Sequence, residues 1–258
     1  MSEQHTSGSD ALFFGAHPDD VELTSGGLAA LLASHGHRVT IVDLTRGESA
    51  SRGTPEARAR EAEEAARELG VAGRECLGLP DLGIDRSDRA QLTAVVACLR
   101  RHRPRLVVAP DRDDAHPDHV EGSHLIRRAA YVAGLARFAA PGERFRPERL
   151  LFALYRSGAR PHLVVDVSAV WERRVAAFRR HESQHGGGAP AGPGTYVTHA
   201  DFPAEIEGRA RHWGALIGAR HGEAYRARGP IAVADARVLL ADAGLGHAAD
   251  PAAQGRAS

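Results

Sequence analysis

The strongest constraint on this chain is an alternation. Short apolar or β-branched runs recur, each ending in polar residues and followed by a stretch with helical patterning. ALFFGA (11–16) stops at HPDD and leads into an Ala/Leu-rich segment that closes near His35 and Gly36; RVTIVDL (38–44) follows. Runs with so few polar interruptions suit parallel strands buried on both faces. Thr54 and Pro55 stand where an N-cap and first helical residue belong, Glu56 complements the helix dipole, and Gly70 supplies a stop. Further strands are predicted near 75–77, 106–110, 150–155 and 162–167. Further helices are predicted at about 89–103, from the polar cluster 111–119 toward Phe138, at 169–181 and at about 204–221. Strands alternating with helices over short links predict an α/β fold with a doubly wound, mostly parallel sheet. The expected organisation is a flexible N-terminus (1–10), a single domain (11–242) with a flexible Gly-rich loop at 186–194, and a disordered tail (243–258).

Composition removes several chemistries. All 33 basic residues are arginine, so a Schiff-base lysine and the lysine of Walker loops or protein kinases are absent. Formal net charge is zero with no basic tract, which argues against nucleic acid or anionic lipid as a partner. No apolar run approaches the roughly 18 residues of a membrane span, and residues 1–10 lack a signal-peptide core. Two cysteines, Cys76 and Cys98, in unrelated contexts give neither a disulfide framework nor a cysteine metal knuckle, and a cytoplasmic location is expected.

Two polar clusters carry the chemistry. His17-Pro18-Asp19-Asp20 follows one predicted strand and His116-Pro117-Asp118-His119 follows another, where ligands of open α/β sheets bind. One such cluster is as readily a strand stop plus helix cap. Two at equivalent positions point to one divalent ion, and a His/Asp set without thiolates suits Zn²⁺, with Fe²⁺, Co²⁺ or Mn²⁺ also accepted. The ligand set chosen is His17, Asp20 and His119, one ion per chain, which leaves Asp19 and His116 beside the ion for proton transfer.

The string GAHPDDVELTSGG (15–27) together with HPDH (116–119) resembles the LmbE-like, or PIG-L-type, zinc-dependent N-acetylglucosamine deacetylases. The runs DLTRGES (43–49), SRGTPEARAREAEEAARELG (51–70), LGLPD (77–81), VVDVSAVWERRVAAF (164–178) and ARHWGALIGARHGEAY (210–225) resemble the bacillithiol-pathway branch. The resemblance implies a Rossmann-like three-layer sandwich. It also implies hydrolysis of the acetamide of N-acetylglucosaminyl-malate to glucosaminyl-malate. In that family mechanism the carboxylate matching Asp19 takes a proton from the zinc-activated water, and the imidazole matching His116 stabilises the oxyanion. Asp118 is expected to orient His116 and favour its charged form, or else to cap the helix. Arg52 matches a substrate-contacting position, and its guanidinium suits sugar hydroxyls or a malate carboxylate.

Two departures stand out: Ala115 replaces an Arg common in the branch, and Phe202 replaces a Tyr, for which Tyr196 is a substitute. Other expectations are a surface role for His181, His185 and His199, and packing roles for Trp171, Trp213, Leu216 and Ile217. A small-molecule aminosugar conjugate is the expected partner, with a homo-oligomer as the assembly. The rival readings are the same hydrolysis on a mycothiol-type conjugate, glycan or antibiotic, a catalytically silent sugar-binding module, and a two-metal phosphatase or nuclease, for which the chain offers too few carboxylates.

Overall fold

The computed structural model describes residues 8–155, 158–185 and 196–232. The predicted loop 186–194, tail 243–258 and most of the predicted N-terminal segment lie outside the described residues. In chain order the elements are β1 (Ala11–Gly15), α1 (Asp20–Thr24), α2 (Gly26–Ser34), β2 (Val39–Thr45), α3 (Pro55–Leu69), β3 (Gly73–Leu79), α4 (Arg89–His102) and β4 (Leu106–Pro110). There follow α5 (Pro117–Val132), β5 (Arg149–Ala153), β6 (Leu163–Asp166), α6 (Trp171–Arg179), α7 (Glu182–His185), α8 (Phe202–Ala215) and β7 (Gly222–Ala227).

The strands form one seven-stranded sheet in the order β3-β2-β1-β4-β5-β7-β6. The first five are mutually parallel, and β7 runs antiparallel to both β5 and β6. Strand periodicity sorts the core. Leu12 and Phe14 of β1 join Val42, Leu44 and the apolar faces of α4 and α5, whereas Ala11 and Phe13 join Ile41 and residues of α2, α3 and α6. The α/β three-layer architecture is therefore the one expected.

Local signals behave as read. Thr54 Oγ1 accepts from the Ala57 N–H at 3.2 Å, Pro55 opens α3, and Gly70 closes it at φ 75°. The strand β7 is the main departure, since the last predicted helix extends to residue 221 whereas α8 stops at Ala215. GEAYRA has no apolar run to announce it. Its charged Glu223 is buried because Gly27 and Leu28 donate their N–H groups to it at 2.8 Å and Arg174 lies 3.2 Å away.

Order reverses between β1 and β4: the chain steps from β1 outward to β2 and β3, then returns to β4 on the other side. Both His-Pro-Asp clusters leave the carboxyl ends of these two adjacent strands, the crevice where open α/β sheets bind ligands.

Candidate metal centre and active site

The turn after β1 is tight. A Cβ on Gly15 would lie 2.9 Å from the His17 carbonyl and 3.1 Å from Asp20 Cβ, so only glycine fits without displacement. Asp20 Oδ2 accepts the His17 N–H at 2.8 Å, and Asp19 is held at φ 126°, outside the ordinary range for a non-glycine residue. The buried Arg58 of α3 fastens this turn to the loop after β2, donating to the Pro18 carbonyl at 2.8 Å, the Gly47 carbonyl at 3.0 Å and Asp19 Oδ1 at 3.3 Å. After β4 the geometry is more regular. His116 is the N-cap of α5, its Nδ1 accepting the Asp118 N–H at 3.2 Å.

These turns bring His17, Asp20 and His119 together. Asp20 Oδ2 lies 3.5 Å from His17 Nδ1 and Oδ1 lies 3.2 Å from His119 Nε2. The far nitrogen of each ring is held by other acids: His17 Nε2 is 3.1 Å from Asp81 Oδ1 and 3.3 Å from Asp118 Oδ2, and His119 Nδ1 is 3.2 Å from Asp114 Oδ2. An imidazole backed by a carboxylate on one nitrogen and open to a cation on the other is the usual setting of a metal-ligating histidine. His116 is also close, since the rings of His17, His116 and His119 each place a donor atom within 4.8 Å of the others.

Electrostatics agree with a cation-accepting site. Burial works against a charged His17, yet Asp118, Asp20 and Asp81 outweigh it and push its pKa up to about 12. His119 rises to about 10, because Asp20 and Asp114 overcome burial in the same way. Asp20 is held well below the carboxylate range by His119 and His17 despite burial. Four carboxylates thus converge on two imidazoles. The donor set fits a divalent borderline ion.

Asp19, next to this set, has partners of its own. Its Oδ2 lies 3.1 Å from His185 Nε2, and burial is outweighed by the His185 hydrogen bond and the Arg58 charge, which lower its pKa. His185 is expected from sequence to be a surface histidine; its side chain is instead buried and packed against Phe178, with 4.0 Å between ring centroids. His181 is fully buried, 3.5 Å from Glu22, and His199 alone of the three is exposed. Asp118 corrects another expectation. Its carboxylate meets His17 and the Leu82 N–H rather than His116, and the cap is His116 itself. Nor is a charged His116 favoured, since burial and then the neighbouring His17 and His119 push its pKa down.

A cleft of about 1400 Å³ opens beside Asp20, His116 and His119. Ala115, Leu23, Tyr155 and Tyr196 line it with Arg160, Arg209 and Arg226. Tyr196 donates its hydroxyl to Glu205 and lines the cleft together with Tyr155, whereas Phe202 is a core residue. Arg52 is half-buried in the loop after β2, its carbonyl accepting from Gln184 Nε2 at 2.9 Å, and it is not among the residues lining this cleft. Trp171 and Trp213 are core residues as expected, whereas Leu216 is 57 % exposed. Arg58, Asp81, Asp114 and His185 are parts of the site that sequence reasoning missed. Asp81 lies inside the LGLPD string and Arg58 inside SRGTPEARAREAEEAARELG, but neither string singles them out.

Comparison with known proteins gives a consistent result. The family model described as GlcNAc-PI de-N-acetylase, PIG-L, matches residues 12–130. A diacetylchitobiose deacetylase from Thermococcus kodakarensis is 31 % identical over 182 residues, 65 % of this chain and 67 % of that protein. A 1D-myo-inositol 2-acetamido-2-deoxy-α-D-glucopyranoside deacetylase from Rhodococcus opacus is 27 % identical over 177 residues, 56 % of this chain and 61 % of its own length. The crystal structure of a conserved protein from Thermus thermophilus superposes with a TM-score of 0.77 at 37 % identity, over 87 % of this chain and 97 % of that one. The chain with its paired His-Pro-Asp turns at the β1/β4 crevice therefore belongs to the PIG-L family.

Proposed function

We propose that the chain is a zinc-dependent N-deacetylase that hydrolyses the acetamide of an N-acetylglucosaminyl conjugate. The observation that carries this reading is Asp20 placed between two imidazoles, each backed by a carboxylate, with a separate buried acid, Asp19, next to it. His17 through Nδ1, Asp20, and His119 through Nε2 would hold the ion. His116 is the weaker candidate ligand because its Nδ1 already accepts the Asp118 N–H. When bound, the ion supplies a Lewis acid that lowers the pKa of water and polarises the acetyl carbonyl.

The remaining work falls to the protein's own groups. Asp19 accepts a proton from the attacking water and returns it to the departing amine; its lowered pKa keeps the carboxylate ionised and ready. Arg58 and His185 hold one oxygen each, which fixes the plane of the carboxylate. Because His116 Nδ1 is an acceptor, the ring carries its proton on Nε2. It offers a neutral N–H to the carbonyl oxygen as negative charge grows there.

N-acetylglucosaminyl-malate is the favoured substrate, which would place the chain in bacillithiol biosynthesis. Arg226 on the cleft is paired with Asp111 and Asp113, and the guanidiniums of Arg160 and Arg209 support an anionic aglycone. Likeness to the inositol-conjugate deacetylase supports the second reading, a neutral aglycone. A panel of acetylated aminosugar conjugates, scored by free-amine release from zinc-loaded protein, decides between them. Highest kcat/KM on the malate glycoside sustains the first reading and highest kcat/KM on the inositol glycoside the second. No amine release from any conjugate would refute the deacetylase assignment.

A further inference from the structure

A second group of metal-competent side chains lies away from the crevice. Cys98 and His102 stand one turn apart on the same side of α4, and Glu75 of the edge strand β3 faces them. Cys98 Sγ and His102 Nε2 each lie 3.1 Å from the same oxygen, Glu75 Oε1, and all three donor atoms fall within 4.8 Å of one another. Ligands of a tetrahedral zinc, with bonds of about 2.0–2.3 Å, stand roughly 3.5 Å apart, so the two contacts to Glu75 need open by only a few tenths of an ångström.

An independent observation concerns how the imidazole is aimed. His102 Nδ1 lies 3.1 Å from Ser9 Oγ, which is itself 2.8 Å from Thr40 Oγ1, and both Ser9 and Thr40 are buried. That pair fixes the ring with Nε2 turned to Cys98 and Glu75, the outer support expected of a ligating histidine. The set combines thiol, imidazole and carboxylate, which suits a borderline to soft ion and offers nothing to Mg²⁺ or Ca²⁺. Arg101 bridges both Glu75 oxygens at 2.7 and 2.8 Å. Its side chain is 55 % exposed, so it can release one oxygen and swing into solvent.

We propose that Glu75, Cys98 and His102 form a second, thiolate-containing site for Zn²⁺ or a similar soft divalent ion, one that clamps α4 to the edge strand β3. Binding expels the thiol proton and any proton on His102 Nε2, and a water completes the fourth position. No redox change is involved.

The site at the β1/β4 crevice contains no sulfur, so cobalt distinguishes the two. Co²⁺ titrated into metal-free, full-length Cys76→Ser protein is expected to give a thiolate-to-cobalt charge-transfer band in the near ultraviolet. Cys98→Ser in the same background should abolish that band, and His102→Ala should weaken the cobalt affinity read from it by at least about tenfold. Zinc should also raise the Tm of an Asp20→Ala, His119→Ala protein, an effect that Cys98→Ser removes. If Cys98→Ser fails to fold, the His102→Ala titration decides alone. Absence of the band in Cys76→Ser protein would overturn the proposal, as would a band indifferent to both Cys98→Ser and His102→Ala.

Discussion

The two His-Pro-Asp clusters look interchangeable in sequence, yet the fold uses them differently. The first, after β1, is a strained and fully tied turn: Asp19 sits at φ 126°, Arg58 pins the Pro18 carbonyl, and Asp20 binds the backbone of His17. A non-glycine residue in such a conformation costs about 1–3 kcal/mol and persists only where surrounding bonds over-determine it. The second cluster opens a regular helix of 16 residues, with His116 at φ −83° as an ordinary N-cap, and it lines the cleft. The first cluster is built to hold and the second to present. Loss of Asp20 should therefore have the largest effect of any single change. Asp20→Ala removes the acid shared by both imidazoles, and zinc measured by atomic absorption after desalting should fall by one ion per chain, with amine release gone. An unchanged zinc content in that variant would refute the ligand set.

Within the first cluster, Asp19 and Asp20 are adjacent but assigned separate work. Asp19→Asn should leave the zinc content unchanged while kcat falls by about 10²–10⁴, the range expected for a lost general base. A parallel loss of metal would merge the two roles. Across the crevice, His116→Ala should lower kcat by about 10²–10³ with zinc content unchanged, as for a lost oxyanion donor. Its depressed pKa gives the pH test a sign. His116 is neutral at and above its ordinary titration range, so His116 should contribute no alkaline fall in kcat/KM. An alkaline limb that vanishes in His116→Ala would restore the charged role.

Acid should act on the metal itself. With His17 raised to about 12 and His119 to about 10, both imidazoles of the metal-free protein are protonated through neutral pH, and binding must expel two protons. Affinity then climbs with pH, by up to about a hundredfold per unit if each displaced proton contributes tenfold. Chelator competition at several pH values measures that slope, and a flat profile would mean that the metal-free imidazoles hold no protons for the ion to displace.

What the sequence disclosed and what it concealed divide along the same physical line. Cap and period signals are local, so Thr54, Pro55 and Gly70 marked α3 correctly, and unbroken apolar runs marked β1, β2 and β4. The crevice was legible because both clusters follow such strands. Concealed were residues whose role depends on distant partners. Arg58 sits on an amphipathic helix where a solvated charge is the default reading, and only the fold turns it inward onto Pro18 and Asp19. Asp114 lies among several acids in one loop, and sequence offers no means of telling which one reaches His119. Strand β7 has the same cause, since the burial of Glu223 is made tolerable by Arg174 and by the backbone N–H groups of Gly27 and Leu28, far away in the chain.

The smallest expected effect separates the clusters most finely. His119 has a single carboxylate behind it, Asp114, whereas His17 has two, Asp81 and Asp118. Asp114→Asn should thus weaken zinc affinity by about 10–100-fold, the usual loss when the support behind a ligating histidine is removed. Asp118→Asn should cost only a few-fold while Asp81 still accepts from Nε2, and the double variant Asp81→Asn, Asp118→Asn should bring the loss into the range of Asp114→Asn. The Leu82 N–H provides a control. It donates to Asp118 Oδ2 at 2.8 Å from a residue held at φ 60°, and an asparagine oxygen can still accept that bond. A large effect of Asp118→Asn alone would therefore be electrostatic, and would mean that Asp81 does not share the support of His17.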